Sequence, residues 1–71
     1  MKMQLKVWYD KEGDFLELNF GPPKKGIFRP LGNECFERID ENNNVIGHAI
    51  FNFTKRFEKN PELELPVQIG L

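Results

Sequence analysis

The chain has one cysteine, one histidine, no large excess of either charge and no long apolar run, and each scarcity removes a class of answer. With Cys35 alone, no intrachain disulfide can form, and a thiolate zinc centre would lack three of its four sulfurs. Ten Lys and Arg against eleven Asp and Glu leave a formal charge of −1. The positive field that draws proteins to nucleic acid is therefore missing, and nucleic acid is not the expected partner. The opening Met1-Lys2-Met3-Gln4-Leu5-Lys6 has no apolar core after its charges, and nothing approaches the roughly 18 apolar residues of a membrane span. A cytoplasmic protein without membrane contact is the expectation. Asn52-Phe53-Thr54 fits the glycosylation triplet, which means little without secretion. A phosphate-cradling loop is also absent, because Gly21-Pro22-Pro23-Lys24-Lys25-Gly26 puts prolines where backbone N–H donors are needed. No cofactor is expected.

Aromatic side chains are abundant instead. Seven phenylalanines, Trp8 and Tyr9 stand in only 71 residues, and each ring can bury on the order of 150–250 Å². A chain of this size forms one domain, spanning residues 1–71, and hides only roughly 60% of the surface its unfolded form exposes. A single sheet layer cannot cover so many rings on one face. The composition thus favours association, as a homodimer or with a small protein partner.

Period-two patterns carry the secondary structure. Met3 to Tyr9 alternates Met3, Leu5, Val7 and Tyr9 against Gln4, Lys6 and Trp8. A polar turn at residues 10–14 follows, with Asp10 placed to accept backbone N–H groups and Gly13 free to take positive φ. Phe15 to Phe20 sets Leu16, Leu18 and Phe20 against Phe15, Glu17 and Asn19, which completes a hairpin. From Gly21 to Pro30 there are three prolines and two glycines in ten residues, and this segment reads as a basic loop whose Ile27 and Phe28 tuck back onto the sheet.

A third strand is expected over Cys35 to Asp40, with Phe36 on one face and Cys35, Glu37 and Ile39 on the other. The asparagine-rich turn at residues 41–44 leads to a fourth strand from Val45 to Phe51, in which Gly47 marks a bulge or a close backbone approach. Thr54 is placed to cap a short helix over Lys55 to Lys59, stopped by Asn60-Pro61, with Phe53 and Phe57 as a hydrophobic staple. Residues 62–69 alternate again, and Pro66 confines them to an edge strand or an extended segment. The fold class expected is mainly β, with α+β as its limit: an antiparallel meander of two hairpins, a short C-terminal helix and an edge or extended C-terminal segment.

No residue set forms a recognisable active site. Asp10, Glu12 and Asp14 are the densest carboxylate cluster, but they lack the glycine and glutamate positions of an EF-hand loop. A hydrogen-bonded turn is the simpler role. His48 lies on the face opposite Val45, Ala49 and Phe51, and Cys35 sits on the strand paired with it, so a thiol–imidazole pair is geometrically open. A buried lone cysteine is more often a small hydrophobe.

Tyr9-Asp10-Lys11-Glu12-Gly13-Asp14-Phe15-Leu16-Glu17-Leu18, followed by Ile39-Asp40 and Val45-Ile46-Gly47-His48-Ala49-Ile50, resembles the small prokaryotic family catalogued as domain of unknown function 2283. Tyr9, Asp10, Asp14, Leu16, Asp40, Gly47 and Ile50 match its pattern. Arg38, Asn43 and Ala49 depart from it, at positions where the family has an aspartate, a glycine and a glutamate. The resemblance implies a compact β-meander packed with a C-terminal segment and no established activity. Some relatives are encoded beside small toxin-like proteins, which implies an antitoxin-like role. The leading expectation is a non-enzymatic interaction module, with Trp8, Phe28, Phe53 and Phe57 as candidate interface residues and Tyr9, Asp10, Asp14, Asp40, Gly47 and His48 as candidate functional or turn residues. The alternatives are a small metal-dependent or hydrolytic enzyme using the Asp10/Asp14 turn or His48, and an RNA-binding sheet that exposes Trp8 or Phe28.

Overall fold

A computed structural model describes residues 3–66. Five strands and one helix follow in order: β1 Leu5–Asp10, β2 Phe15–Phe20, β3 Ile27–Gly32, β4 Cys35–Ile39, β5 Val45–Phe51 and α1 Phe53–Lys59. All pairings are antiparallel, in one open sheet of order β1-β2-β5-β4-β3. The mainly β antiparallel class, both hairpins and the short helix are as expected. Among the described residues no helix is long and apolar enough to cross a membrane.

The Gly21 to Pro30 segment is where expectation fails. Its second half is β3, an edge strand paired with β4 from Ile27↔Ile39 to Gly32↔Cys35, and Phe28 stays exposed rather than tucked in. Pro30 is tolerated for a geometric reason. Phe51 N–H donates to the Glu34 carbonyl, so the odd residues of β5 point their backbone groups at β4. Alternation then aims the β4 residues Glu37 and Ile39 at β3 and turns the backbone of Phe28 and Pro30 outward. The missing N–H of Pro30 thus falls on the open edge, where the ladder does not need it. Asn33 and Glu34 close the β3–β4 hairpin with φ of 52° and 65°, as a type I′ turn requires.

Residues 21–26 carry the chain from β2 to the far edge, past the ends of β5 and β4. Three strand spacings of about 4.8 Å make roughly 14 Å, and a proline-stiffened segment of about 3.1 Å per residue spans that readily. Pro22 and Pro23 therefore sit in a strut. Gly26 passes so close to β4 that a Cβ there would lie 2.6 Å from the Ile39 carbonyl oxygen.

Register assigns the faces. The inner face carries Leu5, Val7 and Tyr9 of β1, Leu16, Leu18 and Phe20 of β2, Ile46, His48 and Ile50 of β5, Cys35, Glu37 and Ile39 of β4, and Ile27, Arg29 and Leu31 of β3. Its centre is the core, with Cys35, Ile39, Ile46, His48 and Ile50 buried. The helix lies on this face, since the Phe53 ring packs 5.9 Å from that of Tyr9. Gly47 meets both expectations: a Cβ there would stand 2.5 Å from the Leu18 carbonyl oxygen, and the register of β4 against β5 shifts beside it.

The helix begins two residues earlier than expected, and Thr54 does not cap it. Asn52 holds the cap position in the left-handed region with no side-chain bond to the helix, and its amide donates instead to Glu34 Oε2 at 2.9 Å. The cap comes from Asp14, described below. Phe53 and Phe57 pack ring to ring at 4.7 Å, but both are helical, so they form an (i, i+4) pair and not a staple around the helix start. Lys59 ends the helix before Asn60-Pro61 as expected. Residues 62–66 form no strand, and the remainder of the expected C-terminal strand, 67–69, lies outside the described residues.

Candidate functional site

The outer face carries a connected ribbon of rings. Phe15 and Phe51 are cross-strand partners, stacked at 4.9 Å. Trp8 meets Phe15 edge-on at 5.6 Å, and Phe36 meets Phe51 edge-on at 5.2 Å. The ribbon thus crosses four strands, from β1 at one edge to β4. Pro30 stands opposite Phe36 and Phe28 opposite Arg38, which extends it to the other edge. Ala49 lies beneath, fully buried, where a larger residue would displace the rings. Trp8, Phe28 and Phe51 remain 54, 50 and 40% exposed. Glu17 sits within the ribbon, while Lys6, Asn19 and Arg38 form the adjoining row. Arg38 donates to Asn19 Oδ1 at 3.1 Å and to the Lys24 carbonyl.

Phe53 and Phe57, grouped with Trp8 and Phe28 from the sequence, belong to the other face. Both are half-buried against each other, and Phe53 also meets Tyr9. The structure therefore divides the four aromatic candidates between two surfaces.

The candidate aspartates tie the backbone. Asp10 Oδ1 accepts from the N–H groups of Glu12 and Gly13 at 3.1 and 3.4 Å. Asp14, itself left-handed at φ 51°, caps α1 from another part of the chain. Its carboxylate accepts from the Thr54 N–H at 3.0 and 3.1 Å, from the Thr54 hydroxyl at 2.7 Å and from the Tyr9 hydroxyl at 2.8 Å. Its carbonyl also accepts from the Phe53 N–H. The bonds from Thr54, backbone first and hydroxyl next, then that from Tyr9, hold the Asp14 carboxyl below the usual range despite an opposing desolvation. The same hydrogen bond raises the Tyr9 hydroxyl, with desolvation and the charges of Asp14 and Asp10 adding to it.

Asp40 plays the corresponding part in the second hairpin. Its Oδ1 accepts from the N–H groups of Asn42 and Asn44 at 2.8 and 3.0 Å, and Lys24 Nζ lies 3.4 Å from Oδ2. The Asn44 N–H is the main cause of its lowered pKa, partly offset by desolvation. Asn43 takes φ 64°, which asparagine accommodates nearly as glycine would. Asp10 and Asp14 therefore direct their oxygens to separate backbone partners, and among the described residues no three His, Cys, Asp or Glu side chains are grouped to hold a metal ion.

His48 is 1% exposed, and neither ring nitrogen has a hydrogen-bond partner among the described residues. Its neighbours are the Phe20 ring, edge-on at 5.7 Å, and the cross-strand residues Leu18 and Glu37. Cys35 shares its face but pairs with Ile50, and its thiol donates to the Asn33 carbonyl at 3.6 Å. The two are not hydrogen-bonded. Glu37, a buried carboxylate the sequence did not single out, accepts from Arg29 Nε at 2.6 Å. Its partner Arg29 is not legible in the sequence, because Pro30 argues against a strand and the two-residue loop that closes the hairpin, Asn33-Glu34, lacks the usual glycine. A cleft of about 660 Å³ opens beside the strut between Lys24, Gly26, Ile39 and Asp40 and brings no catalytic pair together. No family model, no curated protein and no solved structure matches this chain.

Proposed function

We propose that the protein is a non-enzymatic interaction module that presents its outer aromatic face to a protein partner. One observation carries this reading: Trp8, Phe15, Phe51 and Phe36 form a continuous ribbon on the face opposite α1, with Trp8 and Phe51 substantially exposed. An exposed apolar patch with a polar rim is a common mark of a protein contact surface, and aromatic anchors dominate such contacts. The carboxylates that an enzymatic reading would use serve turns and the helix start. The resemblance drawn from residues 9–18 and 39–50 supports an antitoxin-like version of this role.

The test is photo-crosslinking in the native host, with benzoylphenylalanine placed at Phe51 or, as a control, at Glu58 on the helix. A discrete protein adduct from position 51 alone is expected. Equal adducts from both positions, or none, would refute the proposal. A second reading, an RNA-binding sheet, is favoured by Trp8 and Phe28 lying exposed on the face that also carries Lys6 and Arg38. It requires a nucleic-acid adduct at Phe51 and binding that weakens steeply with salt. Glu17 within the ribbon and the net charge of −1 weigh against it.

A further inference from the structure

The two edges of the sheet are unequal. On β3 the outward backbone groups belong to Phe28 and Pro30, so an incoming strand meets a missing donor, and the register shift at Pro30/Gly32 bends the edge away. β1 has neither device. The Gly21 N–H donates to the Gln4 carbonyl, which points the even residues of β1 at β2 and leaves the N–H and C=O of Leu5, Val7 and Tyr9 facing outward. No other described strand takes them up. The side chains along this open edge are also apolar, with Leu5, Val7, Trp8 and Tyr9 each 40% exposed or more and Lys6 the one charge before Asp10.

We propose that two copies of this chain join through β1, paired antiparallel with itself about a two-fold axis at Val7. Register follows from three requirements. Directly opposed residues must share a face, so the axis passes through a residue. The outward groups of Leu5, Val7 and Tyr9 must meet each other, and centring on Val7 pairs all three: Leu5 with the partner's Tyr9 and Val7 with the partner's Val7. Centring on Lys6 would oppose like charges, and centring on Trp8 would leave Leu5 without an outward partner. At Val7 the intervening pair is Lys6 with the partner's Trp8, an ammonium beside an indole.

Closure is built in. Pro30 denies the far edge the same contact, so pairing stops at two copies and no open ladder of sheets forms. The apolar side chains of β1 supply on the order of 1,000 Å² for two copies together, near the lower limit of a specific interface. Because the axis is normal to the sheet, both aromatic ribbons face the same side. This deepens the interaction reading by naming how copies join, and it stands whether or not the outer face receives a partner.

Light scattering and sedimentation of the full chain test it, from micromolar to about 1 mM. The wild type is expected to be a dimer at the upper end. Val7→Lys places two ammonium groups at the axis and Val7→Pro removes an outward N–H that the pairing with β2 does not use; both should weaken association at least tenfold while the far-UV spectrum of the sheet is retained. Phe51→Ser, on the outer face, should leave the dimer intact. The double variant Lys6→Cys/Trp8→Cys should form a covalent dimer on oxidation, because opposed positions of this kind bring Cα atoms within disulfide reach. A wild type that stays monomeric, a dimer abolished by Phe51→Ser but not by Val7→Lys, or the lack of a covalent dimer would each overturn the proposal.

Discussion

Replacing His48 by methionine should stabilise the protein, contrary to the ordinary result of altering a buried residue. A neutral imidazole carries one N–H and one lone pair, and at His48 neither has a partner among the described residues although the side chain is 1% exposed. An unsatisfied buried polar group costs about 1–3 kcal/mol. Against this stands the edge-on contact with Phe20 at 5.7 Å, a kind of pair worth about 0.5–1.5 kcal/mol. Methionine has a similar volume, flexes to fit the same space and can keep a sulfur–aromatic contact with Phe20. The net gain should therefore be about 1–2 kcal/mol. For a domain of this size that raises Tm by roughly 5–15 °C. Urea unfolding followed by far-UV circular dichroism gives the free energy and a thermal scan gives Tm. A loss of stability greater than about 1 kcal/mol would refute the reasoning, since only a satisfied imidazole would be missed that much.

The other expectations concern the turns and the packing. Asp14 and Asp40 both have pKa values lowered in the folded state, so their contribution is complete above the unfolded value and disappears as pH falls through the folded one. Stability should decline below about pH 4, and the Asp14→Asn and Asp40→Asn variants should show a flatter acid limb in pH-dependent denaturation. Tyr9 has the opposite sign: its raised pKa supports the fold below the unfolded value near pH 10, and that support is lost as pH rises through the folded value. Tyr9→Phe should flatten the alkaline limb. Asp14→Asn should also speed amide exchange at Thr54, whose N–H would lose its carboxylate, while the exchange of β4 and β5 stays unchanged. Gly47→Ala should destabilise by about 1–3 kcal/mol as measured by urea unfolding, because its Cβ would meet the Leu18 carbonyl oxygen at 2.5 Å, where the backbone itself would have to give way.

How much was legible in the sequence differs by element. β1 and β2 are legible through alternation, and β4 and β5 through the asparagine-rich turn between them and the β-branched residues of β5, with His48 on the side away from Ala49 and Phe51; the faces of β4 depend more on its neighbours than on its own sequence. β3 did not, because Pro30 argues against a strand until one knows that its backbone faces the open edge. The site was legible in composition only. An excess of rings predicts that some stay exposed, but alternation within one strand cannot show that Trp8 of β1, Phe15 of β2, Phe51 of β5 and Phe36 of β4 form one ribbon. That depends on β5 lying between β2 and β4.

The sequence by itself determined what each segment does locally. Alternating residues make strands with two faces, aspartate and asparagine make the turns at 10–14 and 40–44, and one cysteine and a balanced charge exclude an intrachain disulfide and a strong electrostatic field. Only the tertiary structure decided which local pieces meet. Among the described residues it gave Asp14 to the first turn of a helix forty residues away, left His48 without a hydrogen-bond partner, and closed one edge of the sheet with Pro30 while leaving β1 open. The physical reason is that hydrophobic periodicity acts over a few residues, whereas strand order, capping between distant segments and edge exposure are properties of the packed chain.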